Sequence, residues 1–192
     1  PGPLEIKVRY SIQNDSVLKI EISAESEKPT FCNPAFHGYW CLNNEGLGGH
    51  KLTIHADHFL PTNEALIPTG EIQSVDGTPY DLRQPKALPA EISLDTNFCL
   101  NGPGLREAAR LETDELTMIV ETDALGLQVY DAARLDTSPV LGHSGNPYGG
   151  HAGIAMEPQV WPDAPNQPNF PSITLRPGER FSQTSFFRFI LK

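Results

Sequence analysis

From Phe181 to Leu191 the chain alternates with the two-residue period of an extended strand, and this run constrains the fold more than any other feature. Phe181, Gln183, Ser185, Phe187, Phe189 and Leu191 share one face, while Thr184, Phe186, Arg188 and Ile190 share the other. Both faces carry apolar residues, as expected for a strand inside a sandwich. The same period opens the chain, where Ile6, Val8, Tyr10 and Ile12 line one face of Leu4 to Ile12. Gln13-Asn14-Asp15-Ser16 reads as a turn, and Val17 to Ile22 as the returning strand.

Leu52, Ile54 and Ala56 repeat the pattern. Further strands are expected at Thr30–Ala35, Glu71–Val75, Ile92–Leu100, Ala109–Thr113, Leu116–Thr122, Leu127–Ala132, His151–Glu157 and Ile173–Leu175. Asp114-Glu115 and Arg176-Pro177-Gly178-Glu179 fit tight connections between them. Arg106–Glu112 also reads as a helical turn, but no segment keeps a helical period for three turns. The 16 glycines and 18 prolines break helices and supply turns. The expectation is therefore all-β: one antiparallel β-sandwich domain over residues 1–192, without internal repeat or linker.

Composition narrows the partners. A formal charge of −10 argues against nucleic acid, whose phosphates need clustered Lys and Arg. No run approaches the roughly 18 apolar residues that span a bilayer, and no segment reads as a signal peptide, although the first residue is Pro1 rather than Met. No membrane association and a cytoplasmic location are expected. Cys32, Cys41 and Cys99 are odd in number and lack C-x-x-C spacing, so they read as buried small hydrophobes in a reducing compartment.

In a sandwich, acids and bases far apart in sequence can meet. His37 lies in Asn33-Pro34-Ala35-Phe36-His37-Gly38-Tyr39-Trp40, where an aromatic pair could floor a sugar site. A structural histidine is the alternative. His55 and His58 invite a metal reading, but residues three apart on a strand point to opposite faces, so no metal site is expected. His143 and His151 bracket a Gly-rich surface loop. Glu157 ends the apolar run Ile154-Ala155-Met156, and Pro158 should stop the ladder there, marking either a cleft rim or an ion pair. Asp95 reads in the same way, with a turn or local hydrogen-bonding role as the alternative. Phosphate-binding Gly-rich loops, G-x-S-x-G and H-E-x-x-H are absent from the sequence, and no cofactor is expected.

The run Trp161-Pro162-Asp163-Ala164-Pro165-Asn166-Gln167-Pro168-Asn169-Phe170-Pro171-Ser172 resembles the aldose 1-epimerase (galactose mutarotase) family. His37-Gly38-Tyr39-Trp40, Ala56-Asp57-His58-Phe59-Leu60-Pro61, Ile67-Pro68-Thr69-Gly70-Glu71, Asp95-Thr96-Asn97-Phe98 and Gly126-Leu127-Gln128-Val129-Tyr130 resemble the family's other signatures, in order, from about residue 3 to 190. The resemblance implies an antiparallel β-supersandwich, incomplete on its N-terminal side, that interconverts the α and β anomers of galactose or glucose. It implies Glu157 as catalytic base, His37 as catalytic acid, and Asp95 and Gln128 as residues that bind sugar hydroxyls. An Arg and a second His of the family's site have no counterpart in this chain, so a further segment or another chain is expected to complete the sandwich. A non-catalytic sugar-binding relative is the alternative. Two departures stand inside the matched region: Phe36 replaces the usual Asn before the histidine, and Glu157-Pro158-Gln159 replaces Glu-Thr-Gln.

Overall fold

The computed structural model describes residues 3–13, 16–89 and 93–192. In chain order the strands begin with β1 (Leu4–Gln13), β2 (Val17–Ser26), β3 (Thr30–Phe31), β4 (Tyr39–Trp40), β5 (Lys51–Ile54) and β6 (Ala56–Leu60). There follow β7 (Gln73–Ser74), β8 (Lys86–Ala87), β9 (Asp95–Leu100), β10 (Arg106–Glu112), β11 (Leu116–Thr122) and β12 (Gly126–Tyr130). β13 (Ile154–Gln159), a short 3-10 turn (Ala164–Asn166), β14 (Thr174–Leu175) and β15 (Phe181–Leu191) complete the list. One sheet has the order β1-β2-β15-β11-β10-β5-β8, the other β4-β13-β12-β9-β6-β7, and β14 pairs with β3 apart from both. Every ladder is antiparallel.

The alternating residues of the two sheets meet in one core. Ile20, Ile22, Leu52, Ile54, Leu111, Met118, Val120 and Phe187 come from the first sheet, and Phe59, Phe98, Leu127, Val129, Ile154 and Met156 from the second. Each such side chain, withdrawn from water, contributes about 1.5–3 kcal/mol of transfer free energy. The long last strand lies at the centre of its sheet, between β2 and β11; its Gln183, Ser185 and Phe187 are buried, whereas Phe186 on the other face is half-buried and Ile190 exposed.

Several expectations shift. Arg106–Glu112 is a strand, locked between β11 and β5, because its Ala109 and Leu111 fill core positions only as alternating residues. Leu52, Ile54 and Ala56 do not form one strand. The chain leaves the first sheet at Ile54 and joins the second at Ala56, with the His55 N–H bonded to Ala108 O and the Asn101 N–H to His55 O at the corner. The 30–35 and 71–75 strands shrink to two residues each, and the 151–157 strand begins at Ile154 after His151, whose φ is 58°. The predicted turn at Asn14-Asp15 and the strand start at Ile92 lie outside the described residues.

Cys32 and Cys99 are buried, but Cys41 is exposed and its Sγ donates to Asn43 O at 3.0 Å. Alternation explains it: Trp40 turns into the core, so the next residue turns out. No helix among the described residues is long and apolar enough to cross a membrane.

Candidate active site

The outer face of the second sheet carries the polar residues. β12 places Leu127 and Val129 in the core, so Gly126, Gln128 and Tyr130 face away from it. β13 likewise buries Ile154 and Met156 and turns Ala155 and Glu157 outward. Register does the rest. Glu157 lies opposite Gln128, and Gln128 opposite Asn97 of β9, making one row across three strands. The adjacent row is Tyr39, Ala155, Tyr130 and Asp95. All four site residues expected from the sequence thus fall in one patch two rows deep.

Gln128 Nε2 donates to Asp95 Oδ1 at 2.8 Å, diagonally between the rows. His37 reaches the patch from the β3–β4 connection, and its Nε2 lies 3.3 Å from Glu157 Oε1. Continuing the β4–β13 ladder by two residues beyond Tyr39–Ala155 would set His37 opposite Glu157, so the histidine keeps the strand's register after the ladder ends. The His37 ring also packs on Tyr39 at 5.2 Å, and Tyr39 meets Tyr130 edge-on at 6.4 Å. Half of the His37 side chain is exposed, at 53%, whereas that of Glu157 is 10% exposed, so the pair is open to solvent on the histidine side.

Burial pushes the Glu157 carboxyl above its ordinary range, His37 pulls it back, and Asp95 pushes it up again. Tyr39 is raised by burial first, then by Tyr130, Glu157 and Asp95. A carboxyl placed beside an imidazole in this way has the geometry to exchange protons with a bound hydroxyl.

Glu157 is at once a cleft residue and an ion pair. Pro158 does not stop the ladder, contrary to expectation. β13 runs on to Gln159 because Pro158 pairs with Leu127 of β12, while β4, its neighbour on the other side, pairs only Ile154 and Ala155. Of the aromatic pair, Tyr39 alone faces the cleft; Trp40 packs on Phe187 at 4.8 Å in the core. Phe36 follows the same side as Trp40, 5.7 Å from Phe187 and 6.0 Å from Tyr10. The replacement before His37 therefore adds a core anchor rather than a cleft group. Gly38 permits it, since a Cβ there would lie 2.4 Å from the Phe36 ring.

His55 stands outside the site, 3.0 Å from Glu107. His151 bonds the Asp131 carbonyl at 3.0 Å, and no group of three or more His, Cys, Asp or Glu among the described residues could hold a metal. The signature runs at 67–71 and 161–172 turn out to touch: Gln167 Nε2 donates to Pro68 O at 3.3 Å and Asn169 Nδ2 to Gly70 O at 2.8 Å. Trp161 Nε1 donates to Leu125 O, and only glycine at 126 leaves room, because a Cβ would lie 2.7 Å from Asn97 Oδ1 and 2.9 Å from Trp161 Cδ1. Sequence reasoning assigned no role to Tyr130, Asn97 or Asn33. The two-residue spacing of Gln128 and Tyr130, and of Asp95 and Asn97, could have placed the first two on the cleft face.

The structure is an antiparallel β-sandwich bearing a carboxylate–histidine pair beside an amide–carboxylate pair, with tyrosines around it. The aldose 1-epimerase family model matches residues 1–188, and the chain belongs to that family. It is 38% identical to the galactose mutarotase of Bos taurus over 98% of its own length and 58% of that protein's. It is 34% identical to the aldose 1-epimerase of Escherichia coli over 99% of its length and 60% of that protein's. The crystal structure of a galactose 1-epimerase from Lactobacillus acidophilus overlays all of this chain at a TM-score of 0.84 and 31% identity, covering 58% of that molecule. An aldose epimerase homologue from C. elegans overlays it at 0.92 and 28% identity, covering 61% of that molecule. The chain therefore spans about three fifths of the length of these relatives.

Proposed function

We propose that this chain carries the acid–base centre of an aldose 1-epimerase that interconverts the α and β anomers of free galactose or glucose. The observation that supports it is the His37–Glu157 pair at 3.3 Å, set one row from the Gln128–Asp95 bond on the same sheet face. Glu157 takes the proton of the C1 hydroxyl and His37, as imidazolium, delivers one to the ring oxygen. The C1–O5 bond breaks to give the open aldehyde, the C1–C2 bond rotates, and the reverse transfers close the ring on the other face. The pair ends as it began, so no cofactor is consumed. Asp95 and Gln128, already bonded to each other, offer acceptor and donor groups to ring hydroxyls. Each positioned proton-transfer group contributes typically about 10²–10⁴-fold.

The edge of the first sheet carries an apolar row that asks for a cover. Ile6, Val8, Tyr10 and Ile12 of β1 point the way of core residues Ile20 and Ile22 of β2, yet stay 45–78% exposed. This apolar row is where the remaining part of the relatives' length, or another chain, would dock and complete the site. The exposed free thiol of Cys41 fits a reducing cytoplasm.

Polarimetry of freshly dissolved α-D-galactose and α-D-glucose tests the reading. The chain should hasten the decay of rotation with a bell-shaped pH dependence, and Glu157→Gln should abolish the acceleration. A folded chain that binds galactose without hastening its mutarotation would instead make it a sugar-binding relative. A rate flat from acid to alkaline pH would overturn the pairing of Glu157 with His37.

A further inference from the structure

We propose that Asn33 is a positioning residue that holds His37 against Glu157 by replacing the missing end of the β4–β13 ladder with its own side chain. The inference rests on the site assigned above, though not on turnover by this chain.

Backbone pairing between β4 and β13 ends at Tyr39–Ala155, yet His37, two residues further out, still lies beside Glu157. Something must keep the 33–38 segment alongside β13 once the ladder has stopped. Asn33 supplies it. Its Nδ2 donates to Val160 O at 2.8 Å and its Oδ1 accepts from the Val160 N–H at 2.8 Å. A carboxamide is the one side-chain group that offers this donor and acceptor side by side, so it mimics a peptide unit and caps both free groups of Val160. The two bonds also fix which way the amide faces. Pro34 assists, because the residue before proline is biased to extended backbone.

The clamp and the ladder bracket the site: Val160 lies three residues after Glu157, and Asn33 four before His37. Between them Phe36 plugs into Phe187 and Trp40 on the core side, which orients the segment about its axis but does not hold it to the end of β13. Half-buried on a connection, Asn33 can change without removing a core side chain. Released, the segment would swing outward and carry the imidazole away from the carboxylate. The groups that face Glu157 are His37 from the connection, Asp95 from β9, and Tyr39 and Tyr130 nearby.

The test reads the pair directly. In protein carrying ¹³C-labelled glutamate and histidine, NMR follows the titration of Glu157 and of the His37 ring in the parent, in Asn33→Ala, and in both again with His37→Gln. Glu157→Gln identifies its resonance. Retreat of His37 removes the group that lowers the Glu157 pKa, so Asn33→Ala should move that titration by about 0.5–1 pH unit to higher pH. In the His37→Gln background the same change should leave Glu157 where His37→Gln alone puts it. A folded Asn33→Ala with an unmoved Glu157 overturns the proposal. An equal shift in both backgrounds also overturns it, since Asn33 would then act on the carboxylate without the histidine. Should Asn33→Ala fail to fold, Asn33→Gln, with the same two groups on a longer arm, is judged by the same criteria. Polarimetry is run in parallel. Absence of mutarotation would bear on the proposed function, whereas the titrations decide the clamp.

Discussion

The two faces of the β4-β13-β12-β9-β6-β7 sheet share every backbone but follow opposite rules. On the inner face Phe98, Leu127, Val129, Ile154 and Met156 are no more than 1% exposed and belong to one apolar core. One residue away on each strand, the outer face holds Asp95, Asn97, Gln128, Tyr130 and Glu157. There Glu157 is buried against its preference for water, and neither polar atom of the Asn97 amide has a partner among the described residues. The strand period lets a single chain place packing and chemistry 3–4 Å apart along its length. It also means that stability and activity should respond separately to substitutions at neighbouring positions.

Glu157→Gln should break the comparison most sharply. If the outer face serves chemistry, the mutarotation rate falls by about 10²–10⁴-fold. Stability should move the other way. Burial raises the Glu157 pKa, so the folded chain holds that proton more tightly than the unfolded one. The stability this lends is fully present below the ordinary glutamate range near pH 4.3 and is lost as pH rises through the raised native value. At pH 7 the variant should therefore melt above the parent, a margin that closes toward pH 4. A variant less stable than the parent at pH 7 would mean that the ion pair with His37 outweighs burial.

The inner face should answer in stability alone. Phe98→Ala, one residue beyond Asn97, should cost about 3–5 kcal/mol in chemical denaturation. The titration of Glu157 in the folded fraction should stay where it was. Movement of that titration would show that the two faces are coupled through β9.

Much of this was legible in the sequence, and the reasons differ by region. Long strands with uninterrupted alternation, Leu4–Gln13 and Phe181–Leu191, announce themselves because their period survives over many residues. The strand expected at Ala109–Thr113 was found, but its start at Arg106 was not, since the Ala108-Ala109 pair and the register shift between Glu107 and Ala109 blur the alternation. Glu157, His37, Asp95 and Gln128 were found through family signatures rather than spacing, for the register that joins three separate strands and a connection leaves no trace along the chain. Pro158 misled because its fate is set by the strand beside it, whereas Cys41 misled because the side of the chain it takes follows from Trp40 turning into the core. Asn33 was invisible because its partner, Val160, is 127 residues away.

The smallest effect gives the finest test of the comparison. Asn97 is 2% exposed, sits opposite both Leu60 and Gln128, and borders the apolar cluster of Leu60, Cys99 and Phe170. A buried carboxamide without partners carries a desolvation penalty of about 1–3 kcal/mol, which an apolar side chain of similar size avoids. Asn97→Leu should regain only part of it, because Trp161 and the Gly126 backbone crowd the same spot and resist a branched tip. The expected gain is about 1 kcal/mol, read as a rise in melting temperature of about 2–4 °C. Galactose should then bind more weakly if the outer face keeps Asn97 polar for the ligand's sake, and unchanged if the amide serves only to shape the floor. A loss of stability would show that the carboxamide is satisfied in solution, and the contrast between the faces would shrink to Glu157 alone.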